Sequence, residues 1–401
     1  MQLKNNEHIS HLSYCTNIHA AEHWDEVLKS LHSHVPSIRS NLRLKPEESF
    51  GLGLRVAATA AATLESQKAK EELIDCLNRM NCYVYTINGF PYGNFHGSQV
   101  KEAAYKPDWT DIQRLNYTNS LASLLADILP EQTNGTISTV PGSFKPWVAE
   151  NDKLLSQIAD HLIQHVAHLV SIKKSCGKHL TLCLEPEPFC LMETIEETVE
   201  YFKNYLFCNN AVKQLSELTK MSMSDCETAL HSHIGVCYDV CHAAVEFENA
   251  HDSIRSLQTE GIDISKVQLS SALRIDNVSE KTCAALEPFA EPVYLHQVVQ
   301  LDQNGKLTRF KDLHDALSTQ EAAYGSEWRI HFHVPIFLSE LEIFGTTQNF
   351  LKDILAIQKT NPVTDHLEVE TYTWDVLPPE YREIELTAAI AREIDWVRDQ
   401  F

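Results

Sequence analysis

The chain has 401 residues, 43% of them hydrophobic and 22% charged, a globular mixture with length for one large barrel or two medium domains. Its 33 Lys and Arg stand against 55 Asp and Glu, and the formal charge of -22 disfavours phosphodiester backbones and anionic lipid surfaces as partners. No run of about 18 or more apolar residues is present to span a bilayer, and the polar start Met1 to His11 lacks a signal-peptide core, so the expected location is the cytosol.

In chain order, short β-rich runs alternate with longer segments of helical periodicity, the pattern of parallel strands joined by crossover helices. The predicted strands are His11 to Ile18, Gly51 to Val56, Cys82 to Asn88, Thr136 to Val140, His179 to Glu185, Ile234 to Asp239, Lys266 to Ser271, Trp328 to Val334 and Leu367 to Tyr372. Among the segments between them, Trp24, Val27, Leu28 and Leu31 share one helical face, as do Leu73, Ile74, Leu77 and Met80, and Leu121, Leu124, Leu125 and Ile128. The clearest helix is Asn151 to Lys174. Its stripe runs from Leu154 through Ile158, Leu162, Val166 and Leu169 to Val170, and Lys173 and Lys174 lie where the helix dipole favours cations.

Two segments interrupt the alternation. Gly89 to Trp109 follows a strand without helical period, yet carries Phe90, Tyr92, Phe95, Tyr105 and Trp109, too many aromatic groups for disorder. It reads as a lid, with Gly89, Gly93 and Gly97 as points of backbone freedom. The second, Val293 to Phe310, has apolar runs flanking Asp302-Gln303-Asn304-Gly305 and reads as an inserted β-hairpin. The expected architecture is one elaborated (β/α)8 TIM-barrel domain over residues 1–401. The 11 cysteines form no C-x-x-C pair, and Cys15, Cys183 and Cys237 sit inside strand-like runs as small buried hydrophobes.

Residues ending parallel barrel strands converge on one mouth. Leu180 to Leu184 ends in Glu185-Pro186-Glu187, Ile234 to Tyr238 in Asp239-Val240-Cys241-His242, and Leu367 to Val369 in Glu370, while His331-Phe332-His333 puts two imidazoles on one strand face. His242 has a rival reading as part of a helix cap, and Glu187, before Pro188, one as a solvated charge. Glu185, Asp239 and Glu370 would repel one another at a mouth unless a cation or protons neutralised them, and a carboxylate–imidazole set suits Mn, Zn, Fe or Co.

These residues resemble the ligands of the xylose-isomerase-like TIM-barrel superfamily, which includes sugar and sugar-phosphate isomerases, epimerases and endonuclease-IV-type enzymes. The resemblance implies a divalent-metal site of Glu185, Asp239, His242, Gln268, His333 and Glu370. Gln268 stands where a His is usual, and His331 where the nuclease type has an Asp. Neither Tyr83 to Asn88 nor Thr136 to Val140 carries a histidine to match the early-strand ligands of the nucleases.

Over the whole chain, His11 to His19, Thr86 to Gly93, Phe95-His96-Gly97, Val100-Lys101-Glu102, Pro107-Asp108-Trp109 and Ser138 to Lys145 resemble the EboE family of metabolite-traffic proteins. That resemblance implies a role in secondary-metabolite precursor traffic beside a prenyltransferase-like membrane partner.

The chemistry expected is proton removal and return by Glu185 and Glu370 on a sugar, cyclitol or related phosphate ester. Asn88, His96, Lys101, Lys145 and His331 are the candidate substrate contacts, and Lys101, Lys145 and Arg55, just after early strands, are placed to meet an anion. Two other readings stand beside an isomerase or epimerase: a carrier that binds a polyol without turning it over, and a metal-assisted phosphoester hydrolase.

Overall fold

The computed structural model describes residues 1–5, 8–96, 100–378 and 384–401. Gly97, read above as a point of freedom in the lid, lies outside them. The parallel strands are β2 (His8–Tyr14), β3 (Phe50–Arg55), β4 (Cys82–Asn88), β5 (Gly135–Thr139), β6 (Leu180–Leu184), β7 (Ile234–Asp239), β8 (Ile264–Leu269) and β15 (His366–Val369), with β1 (Gln2–Asn5) paired antiparallel on β2. Their order is β1-β2-β15-β8-β7-β6-β5-β4-β3, and a parallel bridge between Cys15 and Gly53 joins the two ends of the run. Eight parallel strands with intervening helices and a closing bridge make a (β/α)8 TIM barrel.

The helix Asp152–Cys176 shows how the crossovers are specified. Asn151 caps it by accepting from the Leu154 N–H, and Gly177, at φ +76°, ends it in a left-handed turn. Ile158, Leu162, Ile163, Val166, Leu169 and Val170 are buried, while Leu154 and Leu155 at the open end are half-buried.

The predicted barrel strand Trp328 to Val334 belongs elsewhere. It is β12 (Glu327–His333), and it pairs antiparallel with β9 (Ala272–Ile275) and β10 (Val298–Leu301). With β11 (Leu307–Phe310), β13 (Glu340–Leu341) and β14 (Phe344–Thr346), these strands form a second sheet of order β11-β10-β12-β9-β14-β13. An apolar β-rich run does not reveal whether its partners are parallel, so the run could not be told from a barrel strand. The predicted hairpin is present, with Leu301 opposite Leu307, but it is one corner of this larger sheet inserted between β8 and β15.

Strand alternation stacks inward-facing side chains in tiers. On β15, His366 accepts or donates at 2.9 Å to Thr136 Oγ1, while Glu368 Oε2 lies 2.6 Å from Lys266 Nζ of β8. Both members of that pair are fully buried. Gly53 is required beside them, since a Cβ there would fall 1.3 Å from Glu368 Oε1. Above this tier lie Glu370 and Gln268, two residues further along the same strands.

Candidate metal centre and its cavity

Each acidic residue of the site is held by backbone at the end of its strand. Glu185 N–H donates to Thr139 O at 3.1 Å and Glu370 N–H to Leu269 O at 3.1 Å, each continuing the strand ladder by one residue. Asp239 ends β7 and caps the next helix, Val240–Val245, its Oδ1 accepting from the His242 N–H at 3.1 Å and from Ser270 Oγ at 2.7 Å. That leaves Oδ2 for the barrel axis.

At the axis the three carboxylates meet the amide of Gln268, whose Nε2 lies 2.6 Å from Glu185 Oε1, 3.0 Å from Asp239 Oδ2 and 2.5 Å from Glu370 Oε2. An amide nitrogen has two hydrogens and cannot serve three acceptors fully. Gln268 Oε1, Glu185 Oε2 and His333 Nε2 are buried without a partner. A point surrounded by carboxylates, flanked by orphaned acceptors, is what a cation would satisfy. Half a turn of the Gln268 amide would exchange donor for acceptor and add its oxygen to the set.

The imidazoles extend the set on one side. His333 Nδ1 donates to Glu370 O at 2.9 Å, which fixes the tautomer and leaves Nε2 as an acceptor. His242 Nδ1 likewise donates to Pro186 O at 2.9 Å. Asp239, His242 and His333 place one ligand atom each within 4.8 Å of one another, as do Glu185, Asp239 and Glu370, so Asp239 joins the two groups. His331 Nδ1 donates to Gln297 Oε1 at 2.8 Å, and its Nε2 faces His242 Nε2 at 3.0 Å, a contact between two acceptors that asks for a shared proton or a cation.

Burial, followed by the charge of Asp239, pushes the Glu185 carboxyl well above the usual range; burial, Glu185 and Asp239 do the same to Glu370. Burial also raises Asp239, but His242, His333 and the Ser270 hydrogen bond outweigh it and bring this group to about 2. Burial lowers His242 to about 4 and drives His331 and His333 downward. The fit to a divalent ion is therefore good, with three carboxylates, a neutral imidazole and an amide oxygen available.

The sign of the pH dependence follows. Burial favours the protonated form of both carboxyls, and a cation must displace whatever protons they hold, so apparent affinity rises with pH as the groups ionise. Titration with Mn2+ in buffers of different ionisation enthalpy is expected to show at least about one proton released per ion bound. Release of none, with affinity flat from pH 6 to 8, would show that Glu185 and Glu370 are not the ligands.

Over the centre lies a small cavity with about 60 Å³ of water-accessible space, lined by Asn17, Asn88, Glu187, His242 and His331 with a wall of Phe90, Phe95, Tyr105, Tyr294 and Tyr372. Phe95 of the lid packs on Tyr294 and Tyr372, with ring centroids 5.1 and 5.2 Å away. Tyr294 comes from the inserted segment and Tyr372 from the turn after β15.

Among the candidate substrate contacts, Asn88, Lys101 and His331 line the cavity. His96 stands behind the wall, where Nε2 donates to Asn17 O at 2.5 Å and Nδ1 meets Tyr294 OH at 3.1 Å. Lys145 is outside the lining, its Nζ 2.6 Å from Glu193 and 2.8 Å from Glu197. Arg55 donates two bonds of 2.9 Å to Glu22, and Lys101 Nζ lies 2.5 Å from Asp312 Oδ2. The three cations expected to meet an anion are each neutralised by a carboxylate of the chain.

Glu187, read as a solvated charge, is instead 6% exposed and accepts from Tyr105 OH at 2.7 Å. Burial raises it to about 8 against the pull of that hydrogen bond. Asn17 was missed although it obeys the strand-end rule, lying three residues past β2, and it donates to Glu370 Oε1 at 2.6 Å.

No family model matches the chain, and no curated protein matches it. Solved structures similar to it include the probable 3-DHS dehydratase AsbF involved in petrobactin synthesis from Bacillus anthracis, at 13% identity over 96% of this chain and 97% of that one, with a TM-score of 0.46. The IOLI protein with a binding zinc atom is 13% identical over 98% and 99% of the two chains, with a TM-score of 0.42. A xylose isomerase domain protein from Planctomyces limnophilus is 11% identical over 91% of each, with a TM-score of 0.47. The barrel assignment rests on strand order and closure, and the reading of the site rests on its side chains. No helix among the described residues is long and apolar enough to cross a membrane.

Proposed function

We propose that the chain is one elaborated barrel domain acting as a metal-dependent isomerase or epimerase on an unphosphorylated sugar, cyclitol or similar polyol. The observation that carries this is the placing of Glu185 and Glu370 at 2.6 and 2.5 Å on the same axial point, on the floor of an aromatic-walled cavity. A divalent ion held by Glu185, Asp239, Glu370 and His333 would supply Lewis-acid polarisation of a hydroxyl–carbonyl pair.

The chain's own residues do the rest. Glu185 and Glu370 come from β6 and β15, which β8 and β7 separate in the sheet, so they address a substrate carbon from different sides. Removal of a proton by one and return by the other inverts a centre; return to the neighbouring carbon isomerises. Burial raises the proton affinity of both, which suits them to accept a proton from carbon. Asn17 and Asn88 hold Glu370 in position through Oε1, at 2.6 and 3.0 Å. Phe90, Phe95, Tyr294 and Tyr372 exclude water, and movement of Phe90 and Phe95 admits substrate. A place in secondary-metabolite traffic beside a prenyltransferase-like membrane partner is supported by the resembling segments alone.

The test is incubation of the Mn2+- or Zn2+-loaded protein with a panel of sugars and cyclitols in deuterium oxide. Deuterium entering a carbon-bound position is the expected result. Tight binding of a panel member without exchange on any would favour a carrier, and phosphate release from esters a hydrolase.

A further inference from the structure

We infer that the substrate carries an ammonium group and that Glu187 receives it, so that the site takes an amine-bearing polyol of the hexosamine kind. This rests on the isomerase or epimerase reading above and names its substrate class. Glu187 lies in the cavity lining, two residues beyond Glu185, and is buried, with no Lys or Arg of the described residues paired to it. Its Oε1 accepts from Tyr105 OH, which is itself held by Gln297 Nε2 at 2.8 Å. The nearest basic group, His331 Nδ1 at 3.6 Å, already donates to Gln297 Oε1, and Gln297 is fixed because its Nε2 also donates to Pro188 O at 3.1 Å. That imidazole therefore gives Glu187 no hydrogen bond.

The surrounding charges point the same way. Lys101, the one Lys or Arg among the described lining residues, is committed to Asp312, and Arg55 and Lys145 are committed to Glu22 and to Glu193 and Glu197. Three ionised carboxylates at the axis would exceed the charge of a divalent ion by one. A phosphate would meet this field with no fixed cation to hold it, whereas an ammonium would be drawn in. Tyr105, Tyr294 and Tyr372 line the same cavity, and aromatic rings favour a cation beside them.

The test uses matched pairs: D-glucosamine and D-glucose, D-galactosamine and D-galactose, D-mannosamine and D-mannose, with D-glucose 6-phosphate as the anionic control. Affinities of the Mn2+-loaded full chain are measured by calorimetry or ligand NMR. At least one amine is expected to bind about tenfold or more tighter than its hydroxyl twin, with the phosphate weakest. In Glu187→Gln the ratio is expected to fall to near one, at unchanged metal content. Equal binding within every pair, binding of no amine, preference for the phosphate, or a ratio that survives in Glu187→Gln overturns the inference. The wild-type ratio needs no variant, so a poorly folded Glu187→Gln leaves the test intact. Deuterium exchange on neutral sugars, with no amine preference, would retain the isomerase reading and reject this one. Amine selectivity without exchange on any panel member would do the reverse.

Discussion

Glu370→Gln is expected to lose the metal together with turnover, whereas Glu185→Gln keeps the metal and loses turnover alone. The asymmetry comes from the neighbours of the two carboxylates. Glu370 Oε1 accepts from both Asn17 Nδ2 and Asn88 Nδ2, and Asn88 cannot turn round because its Oδ1 accepts from the Phe90 N–H at 3.0 Å. A glutamine at 370 must therefore give its oxygen to the asparagines, which aims its NH2 group at the point where Glu370 Oε2 now faces Gln268. Hydrogen-bond donors do not ligate cations. Glu185 has no such clamp: Oε1 meets only the Gln268 amide and Oε2 has no partner, so a glutamine there can turn its oxygen inward. Metal affinity should fall about 100-fold or more in Glu370→Gln, the upper range for loss of an orienting contact. Proton exchange should fall on the order of 10²- to 10⁴-fold in both variants. Chelator competition and elemental analysis give the first quantity, and deuterium wash-in gives the second. Wild-type metal affinity in Glu370→Gln would show that the asparagines do not dictate orientation. Full exchange in either variant would rule out the two-carboxylate mechanism.

The barrel and the acidic floor of the site were legible because both depend on a local pattern with a geometric consequence. A polar residue closing a parallel strand must face the mouth, and Glu185, Asp239 and Glu370 each close one. Gln268 and His333 could be placed by resemblance to known ligand sets. The second sheet was not legible, since Trp328 to Val334 has the same composition as a barrel strand and its partners, Ala272–Ile275 and Val298–Leu301, lie far away in sequence. The burial of Glu187 was not legible because it is supplied by Tyr105 and Gln297, from the lid segment and the insertion. The same holds for Lys101 and Lys145, whose partners Asp312, Glu193 and Glu197 no local pattern reveals. What escaped the sequence is pairing across elements, and that pairing decides which charges the substrate meets.

Lys266→Met is expected to cost about 3–5 kcal/mol of stability, and the double variant Lys266→Met with Glu368→Leu to recover most of it. Lys266 and Glu368 are 0% exposed, 2.6 Å apart in the barrel interior, with Ser138 Oγ 3.3 Å from the same ammonium. Burial alone would push the lysine down, but Glu368 more than compensates and holds it charged. Removing the lysine strands a carboxylate below three others. Glu368 would then have to take up a proton or draw water into a barrel tier that Gly53 leaves just wide enough for the existing carboxylate. Removing both charges leaves two apolar side chains of similar length and no unpaired ion. Urea unfolding of the metal-free proteins measures the three stabilities, and the difference between single and double variants isolates the coupling. A Lys266→Met protein as stable as wild type would show that Glu368 is already neutral and the pair is not ionic. The pair also reaches the site. Lys266, one tier beneath Glu185 and Glu370, lowers the proton affinity of both while Glu368 raises it, the lysine being the larger effect at Glu185 and the glutamate at Glu370. The double variant removes both opposed effects, so its half-saturation by Mn2+ should stay near the wild-type pH. A clear shift to higher pH would mean that the lysine charge reaches the carboxylates above it without being offset by Glu368.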